Sequence, residues 1–305
     1  MTTAATSARP GLLKLMPWVF VLIWSTGFVA ARFAMPHAPP FSFLVIRYAL
    51  SLLCFVAWVA LARIALPQDG RQWLHLAVVG VLVHAGYLGG VWAAVKAGIG
   101  AGTVALLVGL QPVLTALWIS SRGAPAGSAV RARVSAAQWL GLALGLAGLT
   151  LVVWDKLGGG ELTAVNLALA VAALLSITIG TLYQKRFVAP CDVRSASVIQ
   201  LAAALVVSLP FAWREAAPLV WHAELIGALA WSVFVLTLGG SSLLYMLIQR
   251  GAATEVTSLM YLVPPCTALL GHLLFGEAFT WHMATGMALT AAGVAMVVRP
   301  SASRA

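Results

Sequence analysis

Arg47 sits inside an otherwise apolar stretch and is the first residue here that could do chemistry. It lies about six residues from one end of the run 41–62, roughly 9 Å deep if that run is a helix rising 1.5 Å per residue. Two roles fit it. It can snorkel to the nearer interface, or it can face a polar interior and hold a carboxylate or other anionic group. Other polar residues interrupt apolar runs in the same way. Trp24, Ser25 and Thr26 do so in the first run, and His84 and Tyr87, three apart, share a helix face. Thr237, Ser241 and Tyr245 form a stripe at four-residue spacing, and Thr257 and Tyr261 form another. Gln111, Thr178 and Gln200 are further polar residues at mid-run depth. Such stripes are costly against lipid. Together they describe a substrate cavity with aromatic walls and a few hydroxyls, suited to an amphipathic small molecule.

The chemistry that is missing narrows the function. None of the eight carboxylates (Asp69, Asp155, Glu161, Asp192, Glu215, Glu224, Glu255, Glu277) lies in mid-run. Proton pumps commonly relay protons through buried Asp, Glu or His. His84 alone could do so here, and a satisfied core histidine is the plainer reading. Movement down a gradient is therefore expected rather than proton coupling. HExxH, paired intramembrane aspartates, a P-loop and GxSxG do not occur, so no catalytic residue is expected and the chain does not read as an enzyme. Cys54, Cys191 and Cys266 are odd in number and far apart, with no CxxC. No metal site and no cofactor are expected.

The elements that position these residues follow from composition. The 305 residues are 62% hydrophobic and 9% charged, against about 25% charged in soluble domains. So few charges cannot cover a water-facing surface, and a lipid environment is implied. The formal charge of +10 is explained by loop residues that orient a membrane protein, so no nucleic-acid partner is expected. Spans are expected near 12–34, 41–62, 73–95, 102–119 and 136–154, then 164–183, 195–213, 225–248, 256–275 and 280–298. The first is read as a retained span rather than a cleavable signal. With the N-terminus inside, thirteen of the 18 basic residues fall on the inner side and four on the outer. Both termini are thus expected in the cytoplasm of a cell whose plasma membrane holds the protein.

The two halves repeat. At a shift of 153 positions Ser25 meets Thr178, Gly27 meets Gly180, and Arg47 meets Gln200. Gly86 meets Gly239, Gly98 meets Gly251, and Pro112 meets Pro265 at the same shift. In the fifth span the shift becomes 145, where Gly141 and Gly148 overlay Gly286 and Gly293. Units of five spans, 1–157 and 158–305, must enter the membrane in opposite senses. Inverted repeats mark alternating-access carriers with a midplane site between the halves. Pro112, Pro264 and Pro265, with Gly98 and Gly251, are the candidate hinge or backbone positions, since proline frees a carbonyl; a simple kink fits the prolines equally well. The glycine ladders of the fifth and tenth spans read as packing surfaces, placed at the periphery or at a dimer contact. A monomer is the expected state.

Several stretches resemble the EamA-type branch of the drug/metabolite transporter superfamily. They are Trp24-Ser25-Thr26-Gly27-Phe28 with Arg32, the Arg47-Tyr48 pair, Ala97-Gly98, Gln111-Pro112, and Gly276-Glu277 before the last span. The resemblance covers nearly the whole chain. It implies an all-α integral membrane protein of ten transmembrane helices, two inverted five-helix repeats around a central cavity, exporting amino acids or related metabolites. More narrowly it is similar to YddG-type exporters of aromatic amino acids and methionine; another metabolite or a hydrophobic drug is the alternative cargo. It places Trp24 and Ser25 near the cavity, with Arg47 there or at its outer mouth. The first half lacks a counterpart of Gly276-Glu277, so Glu277 is expected to be structural, a cap or a gate contact.

Overall fold

The computed structural model describes residues 10–121, 136–158, 161–249 and 262–298. All regular elements among them are helical. The first half holds α1 (Pro10–Ala34), α2 (Pro40–Leu61), α3 (Gly70–Gly80), a π-helical segment π1 (Val81–Leu88), α4 (Gly89–Lys96), α5 (Ala101–Val108), α6 (Gln111–Ser121) and α7 (Ala136–Gly158). The second holds α8 (Ala164–Phe187), α9 (Val193–Arg214), α10 (Ala223–Ala230), π2 (Trp231–Gly239), α11 (Gly240–Gln249), α12 (Val263–Phe275) and α13 (Trp281–Val298).

Lipid offers the backbone no hydrogen bonds, so each spanning segment must satisfy its own, and helices do that. Six helices are long and apolar enough to cross: Leu15–Ala34, Pro40–Leu61, Gly70–Lys96, Ala164–Phe187, Val193–Arg214 and Ala223–Leu243. Ala101–Thr115, Trp139–Val152 and Val263–Phe275 are shorter apolar helices. The chain is a multi-pass helical membrane protein. The expected third and eighth spans contain a π-helical middle, and the fourth is interrupted at Gly109-Leu110, with Pro112 in the first turn of α6. Pro264 likewise lies in the first turn of α12, followed by Pro265. These prolines begin helices, where a missing N–H costs nothing; they do not kink helix interiors.

Helix ends follow local chemistry. Asp69 and Asp192 accept the N–H groups of Arg71 and Arg194 at 2.9 and 2.8 Å. Thr163 and Asn166 form a reciprocal capping box on α8. Gly98 and Gly276 turn the chain at φ +100° and +65°, a region that favours glycine.

Helices of corresponding spans in the two halves pack against each other in antiparallel fashion; α2 with α9 and α7 with α13 are related by the sequence shift, while α5 and α12 are parts of the fourth and ninth spans. In α2 and α9, Phe41 stacks on Phe211 at 5.0 Å at one end, and Arg194 lies over Trp58 at 5.5 Å at the other. In α5 and α12, Gly102 faces Ala268 and Gly109 faces Pro264. In α7 and α13, Gly141 and Gly145 face Gly293, and Gly148 faces Gly286 and Thr290. The glycine ladders expected to pack therefore pack on each other within one chain, and leave Trp139, Leu140, Leu146 and Trp154 exposed at the outside.

A Cβ on Gly148 would stand 2.6 Å from Thr290 Oγ1 and closer still to the Gly286 carbonyl. Gly148→Val should lower stability by about 1–3 kcal/mol through overpacking, read as a fall in the thermal midpoint in detergent; an unchanged midpoint would show that α7 and α13 do not pack this way.

Candidate functional site

The buried charge expected from sequence stands within a polar and aromatic cluster. Arg47 points inward from α2 and is 7% exposed, so it does not snorkel to the surface. Its Nη2 donates to Thr237 Oγ1 at 3.2 Å, and its guanidinium lies 5.8 Å from the Trp92 ring centre. Tyr48 and Tyr87 stand within electrostatic reach of it. Among the described residues no carboxylate pairs with Arg47. Trp92 stacks on Phe43 at 4.4 Å, which fixes its plane. Tyr48 donates to the His84 carbonyl at 2.8 Å, and the His84 imidazole meets the Gln200 side chain.

Arg47, the His84–Tyr87 pair and Gln200 thus come together from three segments, α2, π1 and α9. Thr237, Tyr48 and Trp92 complete the cluster, and Trp92 was not among the sequence candidates. The local backbone helps to place them. His84 and Tyr87 ride on π1 and Thr237 on π2, both wider than α-helix and typical of functional sites. Side-chain hydroxyls are threaded into these ladders: Ser176 of α8 donates to the Leu82 carbonyl at 2.8 Å, and Thr237 donates five residues back to the Ser232 carbonyl at 2.7 Å.

The remaining candidates lie elsewhere. Ser25 is fully buried and donates to Val21 O at 2.8 Å, while its carbonyl accepts Thr267 of α12 at 3.2 Å. Trp24 is half-buried, 5.4 Å from Phe20. Gln111 donates to Thr181 at 3.1 Å, and Thr178 donates to Leu174 O at 2.7 Å. These are the equivalent contacts, α1 with α12 and α8 with α6, in the two halves. Ser241 lines a cavity of about 260 Å³ with Phe55, Trp58, Arg194 and Met246, between α2, α9 and α11. Ser51 Oγ, one turn from Arg47 toward Phe55, is buried without a hydrogen-bond partner. Tyr245 lies on α11, but its side chain, like Tyr261, Gly251 and Thr257, is outside the described residues. Gly98 turns the chain between α4 and α5.

The bundle end bearing Glu277 is knit together by carboxylates. Glu277 accepts the N–H groups of Ala101 and Gly102 at 2.9 and 3.4 Å and lies 3.8 Å from Arg32. Glu161 accepts Gly100 N–H at 2.9 Å, and Glu215 accepts those of Phe41 and Ser42 at 2.9 and 2.7 Å. Each caps a helix that begins in another part of the chain, where the N-terminal dipole favours negative charge. Glu277 is the cap that its unmatched motif suggested. At the opposite end the described Asp69 and Asp192 caps are local. There hydrogen bonds from the Arg194 side chain hold the Asp192 carboxyl below its ordinary range. A residue of the chain's two halves also meets there, Gln72 bridging to Ala189 at 2.8 and 3.1 Å.

A profile of the EamA-like transporter family matches residues 15–154 and again residues 165–299. The chain belongs to this family. As an EamA-like transporter it has relatives along nearly its full length. The uncharacterized transporter YvbV of Bacillus subtilis (strain 168) is 25% identical over 91% of this chain and 88% of its own. A probable amino-acid metabolite efflux pump of Salmonella typhimurium is 24% identical over 94% of each. The uncharacterized inner membrane transporter YedA of Escherichia coli (strain K12) is 26% identical over 88% and 85%. A solved structure titled "Crystal structure of protein" shares the fold at a TM-score of 0.63, with 19% identity over 93% of this chain and 96% of that one.

Two outcomes are expected from the caps of this EamA-like transporter. Glu277→Ala leaves the first N–H groups of α5 unmet and should cost about 1–3 kcal/mol, seen as a lower thermal midpoint, with Glu277→Gln recovering part of it. Because the folded-state value of Asp192 is depressed, its stabilising contribution is present above the unfolded aspartate value and is lost as pH falls through the folded one. The midpoint difference between wild type and Asp192→Asn should therefore be constant at neutral pH and shrink below about pH 4.

Proposed function

We propose that this transporter exports amino acids with aromatic or thioether side chains, by alternating access between inverted five-helix repeats 1–157 and 158–305. It would work in the plasma membrane with both termini in the cytoplasm. The observation that carries the cargo is the buried Arg47 guanidinium with no carboxylate partner among the described residues. A charge held in the bilayer costs about 2.5–3.5 kcal/mol on insertion scales, and a substrate carboxylate would offset that cost with charge-assisted hydrogen bonds. The faces of Trp92, Tyr48 and Tyr87 suit an apolar side chain beside that carboxylate. The relatives named as amino-acid metabolite efflux pumps agree with this cargo.

The antiparallel packing of the shift-related pairs α2 on α9 and α7 on α13 supports two inverted copies. Caps that cross between segments at the Glu277 end tie the two repeats together there. The described carboxylates stand at helix ends, which favours facilitated movement over proton coupling. Arg47, His84, Tyr87, Gln200 and Ser241 are the proposed cavity residues. Trp24, Ser25, Gln111 and Thr178 are proposed as supports at the α1–α12 and α8–α6 contacts.

The test is counterflow in proteoliposomes with tryptophan, methionine and tryptamine. Tryptophan or methionine should exchange, while tryptamine, lacking the carboxylate, should not. Arg47→Met should abolish exchange yet keep or raise the thermal midpoint, since an apolar replacement relieves the buried charge, and Trp24→Ala should slow exchange. Equal exchange of tryptamine and tryptophan, or full activity in Arg47→Met, would remove the carboxylate site.

A further inference from the structure

At the end of the bundle that carries Glu277, three side chains converge that the transport reading does not use. His37 lies in the link between α1 and α2, and His222 and Glu224 sit at the start of α10. His37 Nε2 is 2.7 Å from Glu224 Oε2, and His222 Nδ1 is 3.9 Å from the same oxygen. The two imidazoles stack at 4.5 Å with their planes 13° apart. One ligand atom from each residue falls within 4.8 Å of the other two. We propose that His37, His222 and Glu224 form a binding site for a zinc-class divalent ion that fastens the first half of the chain to the second.

The geometry lies close to what such an ion needs. Bonds of 2.0–2.1 Å at tetrahedral angles put neighbouring ligand atoms about 3.3 Å apart; the observed 2.7 and 3.9 Å bracket that separation. Two imidazoles and one carboxylate make the donor set of three-ligand zinc sites, with a fourth position for water. Half of the His222 and Glu224 side-chain surface is open, which leaves room for that water and a path for entry. The backbone beneath is already fixed. Val220 N–H donates to the His37 carbonyl at 2.8 Å, and Glu215 holds the first turn of α2. Binding therefore requires side-chain rotation only; His222 Nδ1 gives up a long 3.4 Å contact from Glu224 N–H. Imidazole donors select a borderline transition metal over magnesium or calcium, which prefer all-oxygen shells.

The experiment uses full-length protein purified without a polyhistidine tag, titrated with Zn²⁺ or Mg²⁺ by calorimetry, with thermal unfolding alongside. Zn²⁺ should bind and raise the thermal midpoint, and Mg²⁺ should not. His37→Ala and His222→Ala should each weaken Zn²⁺ binding at least about tenfold, with Glu224→Gln weakening it as well. Metal-free melts verify that each variant is folded; His222, at the surface, is the variant least exposed to that difficulty. Unchanged Zn²⁺ affinity in the His37→Ala/His222→Ala double variant, or no Zn²⁺-dependent rise up to about 1 mM, would overturn the proposal. Binding alone is measured, so the result stands apart from the export reading.

Discussion

A guanidinium held among aromatic rings in a lipid-embedded bundle is the constraint on which the centre of this protein depends. Arg47 cannot shed its charge at any physiological pH, so its surroundings must accommodate it. They do so without a neutralising carboxylate among the described residues: a hydroxyl from π2, an indole face from α4 and nearby phenols. That leaves a buried positive charge that no described carboxylate neutralises. The same burden explains why so much of the local structure is specialised. Trp92 stacks on Phe43, Tyr48 is anchored on the His84 carbonyl, and Thr237 and Tyr87 are carried on π-helical segments.

The carboxylates show the complementary economy. They are kept out of the middle and used at helix starts, where unmet N–H groups and the dipole both favour them. At one end they reach across from distant segments. At the other, Asp69 and Asp192 serve their own helices. Among the described residues, contacts between the two halves occur at both ends, through Glu215 and Glu277 at one and through Gln72 with Ala189 at the other.

The repeat was legible because hydropathy and small-residue spacing survive divergence. The shift of 153 read from Ser25/Thr178 and Pro112/Pro265 also relates α2 (40–61) to α9 (193–214). Arg47 and the His84–Tyr87 face were legible because polar residues are conspicuous in apolar runs. Trp92 was not, since an aromatic near a span end reads as an interface anchor. The π segments were hidden because their composition is that of any apolar helix; within them the Ser176 and Thr237 hydroxyls meet main-chain carbonyls. Ser25 and Thr178 looked like cavity hydroxyls, but each donates its proton within its own helix. Contacts such as Glu277 with α5 and His37 with Glu224 join residues more than 170 positions apart, and no local pattern announces them.

Those long-range caps also bear on how the chain is made. The first turns of α2 and α5 leave the ribosome well before Glu215 and Glu277 exist. Until then their amide protons can be met only by water at the membrane surface. The amino-terminal half must therefore wait, inserted but unfinished, for the last third of the polypeptide to arrive. Translation order thus sets a maturation order, in which the most widely separated contacts are the final stitches.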